Sequence, residues 1–168
     1  MITIGYRPGM IGRIAELHGT YYHKHWAFGL YFEARVATEL STFLQRYDES
    51  KDRIWSLTVN NRIEGSIAID GSEADSKGAH LRWFILSEAF QGKGHGRRLI
   101  EQAIAFCRQC HYRKIILHTF EGLDSARHLY ESVGFRLVDQ QSGTQWGTPV
   151  NEQSFEAILK TWTEDYYR

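Results

Sequence analysis

The sequence predicts a layered fold of mixed α/β character (α/β or α+β), and three observations carry that prediction. A hairpin pattern flanks Asn60-Asn61, apolar stripes at helical spacing recur before and after it, and a strand–glycine loop–helix start spans Leu81 to Arg98. Hairpins come first and a strand–helix–strand–helix–strand order follows, so helices must cover a sheet.

In chain order, Ile2 to Tyr6 alternates apolar and small or polar residues like a short first strand, and Pro8-Gly9 turns the chain. Met10 to His23 reads as a helix with Ile11, Ile14 and Leu17 on one face, and Phe32 to Arg46 as a second with Val36, Leu40 and Phe43. A connection rich in histidine and aromatic residues joins them. Ile54 to Val59 and Ile63 to Ile69 form a hairpin, because asparagine tolerates positive φ at a turn. The polar loop Gly71 to Gly78 leads into a strand at His80 to Leu86. After the glycine loop, Leu99, Ile100, Ala103, Ile104 and Cys107 make an apolar stripe opposite Arg98, Glu101, Gln102 and Arg108, which predicts a helix packed on the sheet. Lys114 to His118 is a strand, Ser125 to Val133 a helix closed by Gly134, Phe135 to Val138 a strand and Ser154 to Leu159 the last strand.

A chain of 168 residues with 42% hydrophobic content is expected to form one domain, 1–168, and no repeat or low-complexity tract divides it. Its 20 basic and 20 acidic residues cancel, which argues against a global field for nucleic acid or an anionic membrane. The N-terminus has no export pattern and no apolar run is long enough to span a bilayer, so a cytoplasmic protein is expected. Cys107 and Cys110 are too few for a disulfide framework and read as reduced thiols. The string Cys107-Arg108-Gln109-Cys110-His111 imitates haem attachment, yet it falls on the amphipathic helix of a chain without a signal peptide, and no second ligand pair stands out for zinc. No metal is expected.

Gln91-Gly92-Lys93-Gly94-His95-Gly96-Arg97-Arg98 carries most of the functional information. Glycines at alternate positions leave backbone N–H groups uncovered at a helix N-terminus, where unpaired donors and the helix dipole favour an anion. Lys93, Arg97, Arg98 and the titratable His95 make the local charge positive, although exposed charges of this kind also serve merely as a solvated helix start. A phosphate-bearing ligand fits there. A dinucleotide site would need GxGxxG with an acid about twenty residues on, and a phosphate loop of the GxxxxGK[ST] kind is not met either.

Further along stands Ala126-Arg127-His128-Leu129-Tyr130-Glu131-Ser132-Val133-Gly134-Phe135. The pair Gln91-x-x-Gly94-x-Gly96 and Ala126-x-x-Leu129-Tyr130-x-x-x-Gly134-Phe135 closely resembles the GNAT superfamily of acyl-CoA N-acyltransferases over nearly the whole chain. Within it, His18-Gly19-x-Tyr21 and the Phe32 to Asp48 region resemble the acetyltransferase domain often fused to MarR-type regulators, here without a DNA-binding half. The resemblance implies a central mixed, mostly antiparallel sheet of about six to seven strands, flanked by about four helices and splayed at the CoA-binding strand.

It further implies that the backbone N–H groups from Gln91 through Arg97 hold the CoA pyrophosphate, that the strand around Phe84, Ile85 and Leu86 splays at a bulge and pairs with the pantetheine amides, and that Ala126 borders the donor site. Tyr130 matches the position that protonates the departing thiolate. A phenol with a pKa of about 10 is protonated at neutral pH and can donate; the same spacing also suits a core tyrosine on the face of Ala126 and Val133.

Counting back from Gly94 to the strand position where some members carry a carboxylate gives His80, a candidate base because imidazole is mostly neutral at pH 7. A solvent-facing strand-end histidine is the competing reading, and His23, His25 and Glu33 are weaker candidates for the base. Some of the rings in Tyr21 to Phe32 are expected to wall the acceptor site. The implied activity is transfer of an acetyl group from acetyl-CoA, as co-substrate, to a primary amine by direct attack. The alternatives are a CoA-responsive regulatory module with little turnover and a nucleotide-dependent enzyme. The acceptor and the oligomeric state, a homodimer included, are left open.

Overall fold

A computed structural model describes residues 1–159. The expectation of one domain over 1–168 therefore runs into residues 160–168, which lie outside the described ones. The elements are β1 (Ile2–Ile4), α1 (Met10–Trp26), α2 (Leu30–Gln45), β2 (Arg53–Val59), β3 (Arg62–Asp70), β4 (Ala79–Leu86), α3 (His95–Gln109), β5 (Lys114–Phe120), α4 (Asp124–Ser132), β6 (Arg136–Gly143) and β7 (Val150–Ile158), with a 3₁₀ turn at Glu88–Phe90. The strands form one 7-stranded sheet in the order β1-β2-β3-β4-β5-β7-β6. Every neighbouring pair is antiparallel except β4 and β5.

The β2–β3 hairpin turns where expected, with Asn60 and Asn61 at φ 47° and 61°. Both central residues are left-handed, which matches the right-handed strand twist. The sheet's two faces carry two cores. Met10, Ile14, Val36, Leu40 and Phe43 of α1 and α2 bury against Ile54, Ala68, Trp83 and Ile85. Leu99, Ile100, Ala103, Ile104 and Cys107 of α3, with Tyr130 of α4, bury against Ile67, Ile69, Leu81, Leu117 and Phe155. The predicted α3 stripe is fully inside, and Phe106 joins it.

Several boundaries move. β1 ends at Ile4 because Gly5 takes φ 90°. α1 continues through Trp26, so the aromatic stretch read as a connection is mostly helix and only Ala27 to Gly29 joins α1 to α2. Ile14, His18, Tyr22 and Trp26 follow one another at four-residue steps, and Tyr22 and Trp26 both pack on Phe120 with ring centroids 5.9 and 5.0 Å away. That stripe is apolar only in its tertiary setting, which is why hydrophobic periodicity stopped short of it. β6 is an edge strand paired with β7 as far as Gly143, with a bulge at Val138, although its side chains are mostly exposed; β7 supplies its ladder from Val150 onward. Strand propensity alone does not extend Arg136-Leu137-Val138 into Asp139-Gln140-Gln141.

The decisive irregularity lies in the middle of the sheet. β4 and β5 pair only at Ala79–Ile115 and His80–Ile116 and then diverge. On its other edge β4 bulges against β3: Ser66 faces Ile85 and Ala68 faces Arg82, so Trp83 and Phe84 both oppose Ile67. Trp83 sits at φ 48°, and its carbonyl accepts a 2.6 Å hydrogen bond from the Ser66 hydroxyl. One extra residue reverses which side chains point to which face. Ala79 and Leu81 therefore join the α3 core, whereas Trp83 and Ile85 join the α1–α2 core.

Candidate functional site

The divergence of β4 from β5 opens a cavity of about 940 Å³ that reaches from the glycine loop to α2. At one end lie the loop and the start of α4. Gly94 caps α3 from φ 84° and Gly92 stands at φ 70°, conformations that glycine adopts without Cβ strain. Arg98 N–H is the first in α3 to bond back, to the Gly94 carbonyl at 3.2 Å, and the N–H groups of Gly92 through Arg97 bond to no other described residue. They form a row of free donors at a helix N-terminus.

Of the residues expected at the donor site, Phe84, Ile85, Leu86, Gln91, Gly92, Gly94, Gly96, Arg97 and Ala126 line this cavity. Lys93 and His95 do not: the Lys93 ammonium sits 5.6 Å from the Phe90 ring centre, and the His95 ring lies 6.1 Å from that ring with a buried, unpartnered Nδ1. Gln91 donates its side-chain amide to the Leu86 carbonyl at 3.1 Å, and Arg97 reaches the Ser132 hydroxyl at 3.0 Å. These two contacts tie the loop to β4 and α4.

Tyr130 is 7% exposed and lines the cavity from α4, its ring 6.1 Å from Phe84 and 5.9 Å from Phe135. Its hydroxyl bonds to no described residue. Burial pushes its pKa above the ordinary phenol value, so the proton stays on oxygen. Tyr22 of α1 lines the same cavity, and burial first, then Tyr130 and Tyr21, raise its pKa above the ordinary phenol value. Tyr22 was only one ring among many in the sequence; its four-residue spacing from His18 and Trp26 was the available signal.

His80 lies at the other end, half-buried on the α2 side of β4, its ring 5.1 Å from that of His118 on β5. Burial first, then the charge of Arg82 and the neighbouring His118, hold its pKa down to about 3. Neither His23 nor Glu33 lines the cavity. His23 Nδ1 lies 2.9 Å from the Phe28 carbonyl, Glu33 stands against Gly19, and His25, at the cavity rim, pairs with Glu88 at 3.1 Å. Arg35, Glu39, Arg82 and His118 also reach the cavity, and none of them was singled out from sequence. Arg35 and Glu39 stand four apart on α2 and bond at 3.0 Å; Arg82 donates to the same Glu39 carboxylate and covers the Trp83 ring at 4.2 Å.

Among the described residues, no group of three His, Cys, Asp or Glu side chains is placed to hold a metal, and no helix is long and apolar enough to cross a membrane. Cys107 and Cys110 are free thiols, Cys107 buried.

The neutral histidines make stability depend on pH. His18 is buried and held down to about 4 by desolvation, against a partly offsetting contact with the Ile14 carbonyl at 2.8 Å. Its folded pKa is depressed, so between about 6.5 and 4 the unfolded chain takes up a proton that the native chain refuses, and stability falls as pH falls. His80 acts in the same direction down to about 3. We expect Tm to drop between pH 7 and pH 5, with a limiting slope of about 1.4 kcal/mol per pH unit for each such histidine. His18→Gln should flatten the profile, and identical melting at both pH values would refute the assignment.

The sequence profile described as the Acetyltransferase (GNAT) family matches residues 13–135. N-acetylaspartate synthetase of Xenopus tropicalis is 28% identical over 119 residues, 70% of this chain and 44% of that protein. The chain thus spans less than half the length of the curated relatives that it first matches. Among solved structures, a GNAT-family acetyltransferase from Staphylococcus aureus Mu50 superposes with a TM-score of 0.73 at 19% identity, covering 95% of this chain and 100% of that one. A putative acetyltransferase from Salmonella typhimurium, solved with acetyl-CoA, gives 0.71 at 17% identity over 95% and 94%. These structural likenesses establish the fold.

Proposed function

The chain belongs to the GNAT acetyltransferase family, and from that premise we propose that it transfers the acetyl group of acetyl-CoA to a primary amine by direct attack. One observation carries the reading above the others: the glycine loop with its free N–H row and the side chain of the buried Tyr130 border one cavity, opened by the divergence of β4 from β5. Acetyl-CoA supplies an activated acyl thioester when bound.

Each role then follows from a residue's setting. The amides of Gly92 to Arg97 hold the pyrophosphate, with Gly94 and Gly96 letting it approach the backbone and Arg97 adding charge; the Gln91 amide, expected among them, is already bonded to the Glu88 carbonyl at 3.3 Å. The edge of β4 at Phe84, Ile85 and Leu86, released from β5, offers backbone groups to the pantetheine arm, and Ala126 leaves room beside it. The acceptor nitrogen forms its bond to the acyl carbon as the carbon–sulfur bond breaks. The proton that the amine loses passes to His80 or through water to solvent; Tyr130 gives its own proton to the sulfur and regains one from solvent. A base with a pKa of about 3 is a weak proton acceptor, so His80 serves as a neutral relay. Its protonation then leaves no inflection in kcat/KM between pH 5 and 9.

The reading takes the protein as a single domain acting in the cytoplasm, supported by one continuous sheet and by the free thiols. Steady release of CoA from acetyl-CoA with a primary amine, with an acetamide product by mass spectrometry, is the expected result. Tight acetyl-CoA binding without release across a broad amine panel would replace it with a regulatory role.

A further inference from the structure

We propose that the acceptor carries a carboxylate a few bonds from its amine, and that Arg35 and Arg82 hold that carboxylate. The inference rests on the acetyltransferase reading, because the acceptor would occupy the end of the cavity opposite the glycine loop.

At this end one carboxylate serves two guanidinium groups. Glu39 Oε1 accepts from Arg35 Nε at 3.0 Å, and Glu39 Oε2 accepts from Arg82 Nη2. Behind them the network continues through Asp70, 3.9 Å from Arg82 and 2.6 Å from Arg46, to Asp52, 3.0 Å from Arg46. Summed over all these groups the charge is zero, but its distribution is uneven. Asp52 and Asp70 lie behind the wall, Asp52 with a side chain only 1% exposed and its Oδ1 accepting from the Gly71 amide. Of the two carboxylates that line the cavity, Glu39 and Asp124, only Glu39 pairs with Arg35 and Arg82.

Both guanidinium groups are also held in place and keep free donors. Arg82 lies over the Trp83 ring, and Arg35 donates Nη1 to the Gln145 carbonyl. Each guanidinium has five N–H donors in a planar fork, and neither Arg35 Nη2 nor Arg82 Nε bonds to a described residue. Such forks match a carboxylate in two-point geometry and are already oriented for it. His80 and His118 stand beside them without adding charge: burial and the Arg82 charge keep both below the ordinary imidazole value.

Position sets where the amine falls. Arg82 is the residue before the bulge at Trp83, and one strand step is about 3.3 Å. A carboxylate on Arg82 leaves an amine a few bonds away at the mouth of the β4–β5 opening, which suits a free amino acid. A second ammonium group there would meet two guanidinium groups and be rejected.

The test compares free L-amino acids, their amides and the corresponding decarboxylated amines, following CoA release. We expect kcat/KM for the best acid to exceed that for its amide and its amine by about tenfold or more, mainly through KM. Arg35→Gln and Arg82→Gln should each bring the acid-to-amide ratio close to one while acetyl-CoA affinity by calorimetry stays unchanged, a pattern that a purely structural tie would not produce. If Arg82→Gln does not fold, the wild-type comparison and Arg35→Gln still decide. Amides or simple amines used as well as acids would overturn this inference and leave the acetyltransferase reading standing. No CoA release from any compound would sink both.

Discussion

Replacing Tyr130 with phenylalanine is expected to lower kcat roughly 100-fold or more, the usual scale for losing a positioned proton donor, with acetyl-CoA affinity unchanged. The substitution removes one oxygen and keeps the ring, whose packing against Phe84, Phe135 and Phe155 is what α4 contributes to the core. Because the hydroxyl bonds to no described residue, its loss leaves no partner stranded, and stability should change by less than about 1 kcal/mol. Burial raises the phenol's pKa, so the proton is available throughout the working range and the loss should be independent of pH. Single-turnover kinetics with a reactive amine would separate chemistry from product release. Wild-type kcat in the variant would end the assignment, and a tenfold rise in acetyl-CoA Kd would recast Tyr130 as a binding group.

Gly96→Glu is expected to weaken acetyl-CoA binding by a factor on the order of 100, equivalent to about 3 kcal/mol, the scale of one or two charge-assisted hydrogen bonds. A Cβ at Gly96 would lie 3.4 Å from Leu86 Cδ1 and Phe84 Cζ and 3.5 Å from Leu129 Cδ2. Because these apolar side chains already touch the Cβ, a longer side chain is expected to turn toward the loop's concavity, where its carboxylate would occupy the proposed pyrophosphate position. That carboxylate sits well at a helix N-terminus, so the fold should tolerate it. Melting temperature should stay within a few degrees of wild type while calorimetry shows the lost affinity. Gly96→Ala, whose methyl group only touches its neighbours, should bind nearly normally. Unchanged affinity in the glutamate variant would remove the loop from the donor site.

Much of the architecture was legible because local chemistry and tertiary demand agreed. Asn60-Asn61 could only turn, the α3 stripe could only face a sheet, and Gly134, at φ 106°, closes α4 as expected. The glycine-loop end of the cavity was legible for the same reason: alternate glycines and a helix start sit next to one another in the chain, so their geometry is local. Where the reading went short, the missing energy was non-local. The end of α1 is held by Phe120, and β6 by β7.

The sequence by itself determined the alternate-glycine loop at the start of α3, the tyrosine that follows it, and the mixed layers that bring them near. Only the tertiary structure decided what faces them. The extra residue at Trp83 puts Arg82 and Trp83 on the same side of the sheet although they are consecutive, and directs Phe84 toward Tyr130. Strict alternation would have set Arg82 and Trp83 on opposite faces. A bulge depends on the pairing of two strands, so no periodicity within β4 reveals it. Ahead of it, ordinary alternation sets His80 and Arg82 on the α2 side, where they join Arg35 and Glu39, far away in sequence, along the cavity.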